Sequence, residues 1–485
     1  MRKIATAAAL LCLPLGQGAA SAQGRKAVPR DEIYDVVVRS TQPLRFARGG
    51  RLPLYVWQLM GAAVPDDDAA LARQLRELDR RGIAYAATWD PRKKAESLAT
   101  ALRIGAVQKK LGLEVTVNAN ACVHRFFNGD PQTAHVSADG KRFFDRSFTK
   151  GVKIGCPFAV KRRYPVVRDQ VEYFARAYQA KGIDIHFAFA DWEIDGPIEW
   201  NDAWAHCKRC TRCRKHIPAI NDFTKFQKAL RTIRCDMQKQ CYAEPLKARF
   251  PRILVGNYAV YPHDGWRYWY DWFEKFVEGA PHKADHKARH RRWFAEFGLT
   301  GYTCAMPVVY AWKPSFHWTD FADADYHWFY FMLKAASNAG KHRIKGVPTI
   351  SFVSCLGALR YPADAPEKPF SAEKYQDLLW HMLLRGTDGL FVFSGRGQLA
   401  EELRCVHRVY AAALEYKDFL AKGTPICFDT PTRPGPVVSG IDLGRRVLVY
   451  RTDFDRTREP VELRTERLIL SIPRAKGKPQ VLIVE

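Results

Sequence analysis

Short apolar or β-branched runs recur along the chain. Longer stretches separate them, in which leucine and valine return every three or four residues. The runs are Leu52–Met60, Gly82–Trp89, Glu114–Ala121, Asp184–Glu193, Arg252–Pro262, Leu299–Trp312, Gly346–Leu356 and Gly386–Ser394. Helical spacing lies between them, as at Leu71, Leu75 and Leu78, at Leu98, Leu102 and Val107, and from Val171 to Ala180. Gly82, Gly112 and Gly182 stand where helix C-caps would lead into strands. Strands that alternate with helices predict a parallel sheet. Eight such units predict an α/β fold, a closed (β/α)8 TIM barrel. An open doubly wound sheet fits less well, because no glycine-rich phosphate turn follows the first strand.

The pattern changes at both ends. After a helix over Leu403–Leu420, short strands are predicted at Pro425–Phe428, Arg446–Thr452, Val461–Leu463, Arg467–Ile472 and Gln480–Val484, with turn residues between them. Residues 423–485 thus read as a small C-terminal β-sandwich and 52–422 as the barrel. Residues 23–51 form an N-terminal arm, with an edge strand expected at Tyr34–Val38. Residues 1–22 combine a basic start, an apolar stretch from Ile4 to Leu15 and small residues before Gln23. That is the order of a cleaved signal peptide, which predicts a secreted or periplasmic protein. No later run is long and apolar enough to predict a transmembrane segment.

Composition adds a charge. The chain has 485 residues, 76 Lys and Arg against 51 Asp and Glu, and a formal net charge of +25. Such a field favours anionic partners. With export, it points to acidic or sulfated polysaccharides or to a membrane surface, and reads equally as a solvated basic surface. No nucleic-acid motif accompanies it.

The candidate chemistry lies at the end of the fourth run, Ala190-Asp191-Trp192-Glu193. Barrel enzymes work at the C-terminal ends of their strands. Strand side chains alternate, so Asp191 and Glu193 share a direction and Trp192 takes the opposite one. Two carboxylates at a barrel mouth raise one another's pKa, and a carboxyl kept protonated can donate to a leaving oxygen. The segment from Gly182 to Glu193, ending Asp-Trp-Glu, resembles the fourth-strand motif of the family 18 chitinases and the Asp-x-Glu of the hyaluronidases. Leu54-Tyr55-Val56-Trp57 is similar to the first strand of the latter. Phe189 and His186 stand where the chitinase motif has further acids. The resemblance implies a glycoside hydrolase that uses the substrate's acetamido group as nucleophile, with Glu193 as general acid and Asp191 orienting that group. A retaining glycosidase with Glu193 as acid/base and a nucleophile from another strand remains open. So does a non-catalytic barrel that binds glycan. The seventh run carries no acid, and Asp264 and Asp320 are rim candidates.

Trp57, Tyr258, Tyr261, Tyr310 and Trp312 are candidates for stacking on sugar rings, and Asn257 and Tyr310 for polar contacts to an acetamido or hydroxyl group. The basic run His282–Arg292 reads equally as an anion-binding stretch or a solvated helix face. The proposed chemistry requires no cofactor. After the fourth run comes His206-Cys207-Lys208-Arg209-Cys210-Thr211-Arg212-Cys213-Arg214-Lys215-His216. Cys207, Cys210 and Cys213 with a flanking histidine could hold a structural zinc. Export makes disulfides the competing reading, with Cys235 and Cys241 as further partners.

Overall fold

The computed structural model describes residues 27–123, 126–146, 151–192, 203–257, 297–309, 321–355, 370–456, 458–464, 469–475 and 477–484. Its strands are β1 (Leu54–Val56), β2 (Ile83–Ala84), β3 (Ala86–Thr88), β4 (Thr116–Asn118), β5 (His135–Val136), β6 (Arg142–Phe143), β7 (Phe187–Ala190), β8 (Leu254–Asn257), β9 (Val308–Val309), β10 (Ile350–Val353), β11 (Gly389–Val392), β12 (Thr424–Pro425), β13 (Pro436–Leu443), β14 (Arg446–Asp453), β15 (Val461–Arg464), β16 (Ile469–Ile472) and β17 (Gln480–Ile483).

The protein is mixed α/β with parallel-strand sheets. One sheet has the order β2-β1-β11-β10-β9 and another β3-β4-β7-β8, with every pairing in both parallel. Only Tyr85 separates β2 from β3, so the second predicted run serves both sheets. At the other junction, Thr303 and Cys304 donate their N–H groups to the Val255 carbonyl at 3.0 and 3.3 Å. The Val255 N–H donates to Thr303 Oγ1 at 2.8 Å, and Ala305 bridges in parallel to Thr349.

Helices follow the strands as the periodicity predicts. Asp67 caps the helix Asp68–Arg80 by accepting from the Ala70 N–H, and Leu71, Leu75 and Leu78 form its buried stripe. Gly82, Gly112 and Gly182 all take left-handed φ values of 68°, 68° and 60° where their helices end. At Gly82 a Cβ would also lie 2.8 Å from Leu44 and Tyr410, so backbone and packing both require glycine there.

Three sequence expectations change. Tyr34–Val38 is not an edge strand but part of the helix Ile33–Ser40. Its buried residues Ile33, Val36, Val37 and Ser40 follow i, i+3, i+4, i+7 spacing, which the run of valines had masked. Leu299 and Thr300 belong to the short helix Phe297–Thr300 rather than to the sixth strand. β13 was read as turn because Pro434, Gly435 and Pro436 introduce it, yet it is the central partner of both β12 and β14.

Toward the C-terminus, β12-β13-β14-β17 and β15-β16 form antiparallel sheets that enclose Val438, Val447, Val449, Leu463, Leu470 and Ile472. The first of these sheets docks on the helix Ala372–Leu384. His381 Nδ1 lies 2.7 Å from Ser439 Oγ and its Nε2 3.0 Å from Thr452 Oγ1. The fully buried Arg385 donates to Ser439 Oγ, Ser337 Oγ and the carbonyls of Asp429 and Val438 at 2.6–3.1 Å. No described helix is long and apolar enough to cross a membrane.

Candidate functional site

Alternation along β7 leads up to the candidate acid. Phe187 and Phe189 meet rings of the other parallel sheet. Phe187 lies 4.5 Å from Tyr55, and Phe189 lies 4.7 Å from Phe391, 5.5 Å from Phe352 and 5.6 Å from Trp57, centroid to centroid. Ala188, Ala190 and Trp192 pack to the helix side, in one cluster with Phe174, Tyr178 and Phe126. Asp191 is the first residue after β7, two positions beyond Phe189. Asp191 is half-buried. Trp57, also half-buried, continues the aromatic face of β1 and stacks edge-on to Phe189 and Phe393 at 5.6 and 5.5 Å. Glu193, Tyr258, Tyr261, Tyr310 and Trp312 lie outside the described residues, as do Asp264, Asp320, the run 282–292 and the leader.

Asn257 has a different setting. The register pairs it with Ala190 and pairs Gly256 with Phe189. Gly256 therefore takes the interior position, where a Cβ would meet Cys304 Sγ at 2.7 Å and Met306 Sδ at 2.9 Å. The Asn257 side chain is engaged on backbone. Its Oδ1 accepts from the Trp192 N–H at 2.8 Å, and its Nδ2 donates to the Trp192 carbonyl at 3.4 Å. It holds the peptide groups that join Asp191 to residue 193.

β4 supplies polar groups that the sequence reading passed over. Val115, Val117 and Ala119 face the helices. Thr116, Asn118 and Asn120 alternate with them, and the register sets Thr116 beside Phe187 and Asn118 beside Phe189. Asn118 Oδ1 accepts from the Asn120 N–H at 3.0 Å, and its Nδ2 reaches Thr88 Oγ1 at 3.5 Å. Thr88 Oγ1 in turn donates to the Met60 carbonyl at 2.7 Å. The Thr-x-Asn-x-Asn alternation within Glu114–Ala121 was the available signal.

The cysteine segment folds away from β7 as the helices Ala203–Arg209 and Thr211–His216. Cys156, Cys207, Cys210 and Cys213 form no disulfide. Cys207, Cys210 and Cys213 are all buried, but the chelating group that forms is His135, Cys156, Cys210 and Cys213. Cys207 is not one of the four. His206 faces Asp145 at 3.8 Å and His216 stacks on Phe158 at 4.5 Å, so the histidine of the group comes from β5 instead. Close contact with Cys156 and Cys213 holds the Cys210 thiol far below the ordinary thiol range, and the same contact with Cys210 pushes the Cys156 thiol up. His135 and Cys156 lie more than 50 residues before Cys210. No sequence spacing ties them to the Cys-x-x-Cys-x-x-Cys.

No protein-family model matches the chain, and no curated protein matches it. Solved structures do align with it. α-L-Fucosidase isoenzyme 2 from Paenibacillus thiaminolyticus is 12% identical with a TM-score of 0.44, over 78% of this chain and 51% of that one. An Anoxybacillus α-amylase is 11% identical with a TM-score of 0.43, over 86% of this chain and 88% of that one. A β-galactosidase from the psychrophilic Marinomonas ef1 is 13% identical with a TM-score of 0.42, over 76% and 61%. The chain spans about half the length of the fucosidase.

Proposed function

We propose that the protein is a glycoside hydrolase whose site lies at the C-terminal ends of the parallel strands, with Glu193 as proton donor and Asp191 as its partner. The observation that carries this is the β7 alternation. Phe187 and Phe189 face the rings of the other sheet, which supports reading Asp191 as the next position of that face; Glu193 is assigned to it from the sequence alternation alone. In this reading the two parallel sheets are one closed eight-stranded barrel spanning 52–422. The β1–β11 pairing and the Thr303/Cys304 bonds to Val255 support closure. Residues 423–485 are then a β-sandwich on its flank.

The substrate proposed is a hexosamine-containing glycan, with an acidic chain favoured by the net charge of +25. The glycosidic C1–O bond breaks as Glu193 gives its proton to the leaving oxygen. The acetamido oxygen forms the new bond to C1, and Asp191 stabilises the positive charge that spreads onto the acetamido nitrogen. Water then opens that ring at C1 and returns a proton to Glu193. Among the described residues, the strand ends at Ser354, Cys355, Phe393 and Ser394 carry no carboxylate, which favours a nucleophile from the substrate over one from β10 or β11. Glu402 lies behind them on the helix Leu399–Ala413, with both its oxygens accepting from the Cys355 N–H at 2.9 and 3.0 Å. Trp57 would stack a sugar ring above Phe189. A cleaved leader would place the enzyme outside the cytoplasm.

The test compares wild type, Glu193→Gln and Asp191→Asn on glycans with and without acetamido groups and uronates. Removing the general acid is expected to cost ~10²–10⁴-fold in rate. No cleavage by wild type, or a fully active Glu193→Gln, overturns the assignment. Cleavage of sugars lacking an acetamido group leaves a hydrolase but removes the substrate-assisted step.

A further inference from the structure

We infer that His135, Cys156, Cys210 and Cys213 bind one zinc ion, which ties together the chain excursions that follow β4 and β7. The geometry is that of a tetrahedral site. Cys156 Sγ lies 3.7 Å from Cys213 Sγ and 3.8 Å from Cys210 Sγ, and Cys213 Sγ lies 3.9 Å from His135 Nδ1. All four ligand atoms lie within 4.8 Å of one another. Zn–S bonds of about 2.3 Å set two tetrahedral sulfurs about 3.8 Å apart, and a Zn–N bond of about 2.05 Å sets sulfur and nitrogen about 3.6 Å apart. A disulfide would require about 2.05 Å and could use only two of the three sulfurs. Three thiolates and an imidazole are a donor set suited to zinc.

The chain is shaped to bring these groups together. All four residues are at most 2% exposed. The Cys156 N–H donates to the Thr133 carbonyl at 2.8 Å. That approach depends on Gly155, where a Cβ would stand 2.3 Å from the same oxygen. The His135 ring stacks on Phe143 at 5.1 Å, which fixes its plane. Thr211 Oγ1 donates to the Val136 carbonyl and Arg212 to the Ala134 carbonyl, at 3.1 and 3.3 Å, so the two excursions already meet around the cluster. Three thiolates and Zn²⁺ leave one negative charge, in a segment that carries Lys208, Arg209, Arg212, Arg214 and Lys215. A ligand's outer partners matter nearly as much as the ligands themselves, and here Phe143 and Thr133 have that part. The inference does not depend on the hydrolase reading.

The test uses the full chain purified without chelator. Elemental analysis is expected to find one zinc per chain, released by a mercurial thiol reagent with loss of three thiolate ligands. Replacement by cobalt is expected to give intense tetrahedral d–d bands and thiolate-to-cobalt charge transfer, with no variant required. Cys207→Ser keeps the full zinc content, whereas His135→Ala and Cys156→Ser lose at least half of it. Absence of bound metal, a disulfide involving Cys156, Cys210 or Cys213, stoichiometric iron instead of zinc, or loss of zinc from Cys207→Ser with retention in Cys156→Ser each overturns the assignment.

Discussion

Asn257→Leu tests whether β8 holds the backbone that carries the acids. Leucine has the same branching and the same number of heavy atoms but is bulkier, so the change removes hydrogen bonding without opening a cavity. Asn257 is 2% exposed, and both its bonds go to the buried Trp192. An orphaned buried N–H costs about 1–3 kcal/mol, and the longer bond to the carbonyl contributes about 0.5–1.5 kcal/mol. Together they predict a local loss of about 1.5–4.5 kcal/mol. At about 1.4 kcal/mol per tenfold, that is ~10- to ~1,600-fold faster amide exchange in the peptide containing Trp192. Native-state hydrogen exchange with mass spectrometry reads this directly. Asn257→Asp keeps an oxygen to accept from the Trp192 N–H and is expected to recover most of the protection. If Asn257→Leu exchanges at the wild-type rate, the bond to Trp192 does not support this strand end. The exchange measurement stands without any substrate. On the hydrolase reading, a displacement of about 1 Å at the acids costs ~10²-fold, falling on kcat more than on KM. An unchanged kcat beside the predicted loss of protection would show that Asn257 supports the strand but not the chemistry.

Three further outcomes follow from the structure. Arg385 is a buried cation solvated by hydroxyls and carbonyls, and burial pushes its pKa down to about 10. Arg385→Ala should cost about 3–5 kcal/mol in urea unfolding, because four acceptors lose their donor. Arg385→Met should cost less, since both variants remove the buried charge but methionine leaves the smaller cavity; a loss under about 1 kcal/mol for alanine refutes the role. His381 and His407 are both held below the ordinary histidine value, chiefly by burial, with nearby arginine charge adding to it. Their folded pKa lies below the unfolded ~6.5, so stability is full above that pH and drains below it, by up to about 1.4 kcal/mol per pH unit for each group, until the folded value is reached. His381→Gln should flatten the slope of stability between pH 6.5 and 5, and an unchanged slope would count against the assignment. Phe189→Ala removes the ring that touches Trp57, Phe352 and Phe391, and should lower stability by about 3–5 kcal/mol in the same urea assay.

The alternating strands and helices were legible because each strand is a short, densely apolar run and each helix shows a stripe, as with Leu71, Leu75 and Leu78. The turn of Trp192 toward the helix side was legible from period two alone. What register decides was not. Asn257 looks like a polar group at a strand end, and only the pairing with Ala190 turns it away from Phe189 and toward Trp192. The helix Ile33–Ser40 was hidden because three consecutive valines read as strand, although burial selects only two of them. β13 was hidden behind a proline-glycine-proline entry. The cysteine spacing exposed two members of the buried cluster, while His135 and Cys156 join it through tertiary packing alone.

The two parallel sheets have largely separate apolar clusters, one around the helices Ala324–Lys341, Ala372–Leu384 and Leu399–Ala413, the other around Lys94–Lys110 and Tyr164–Ala180. Phe187 and Phe189 cross between them, being carried by β7 in one sheet yet buried in the cluster of the other, and Leu254 of β8 packs against that same cluster. β7 is therefore a seam. Each half retains its own helices when it opens, but opening must pull these two rings out of their neighbours. Asp191 follows directly on that seam. On the proposed reading, a fluctuation that parts the halves would disturb the acids before it unfolds either half. A ligand that bridges β1 and β7 would accordingly be expected to act as a rivet, slowing the separation of the halves more than the fraying within them.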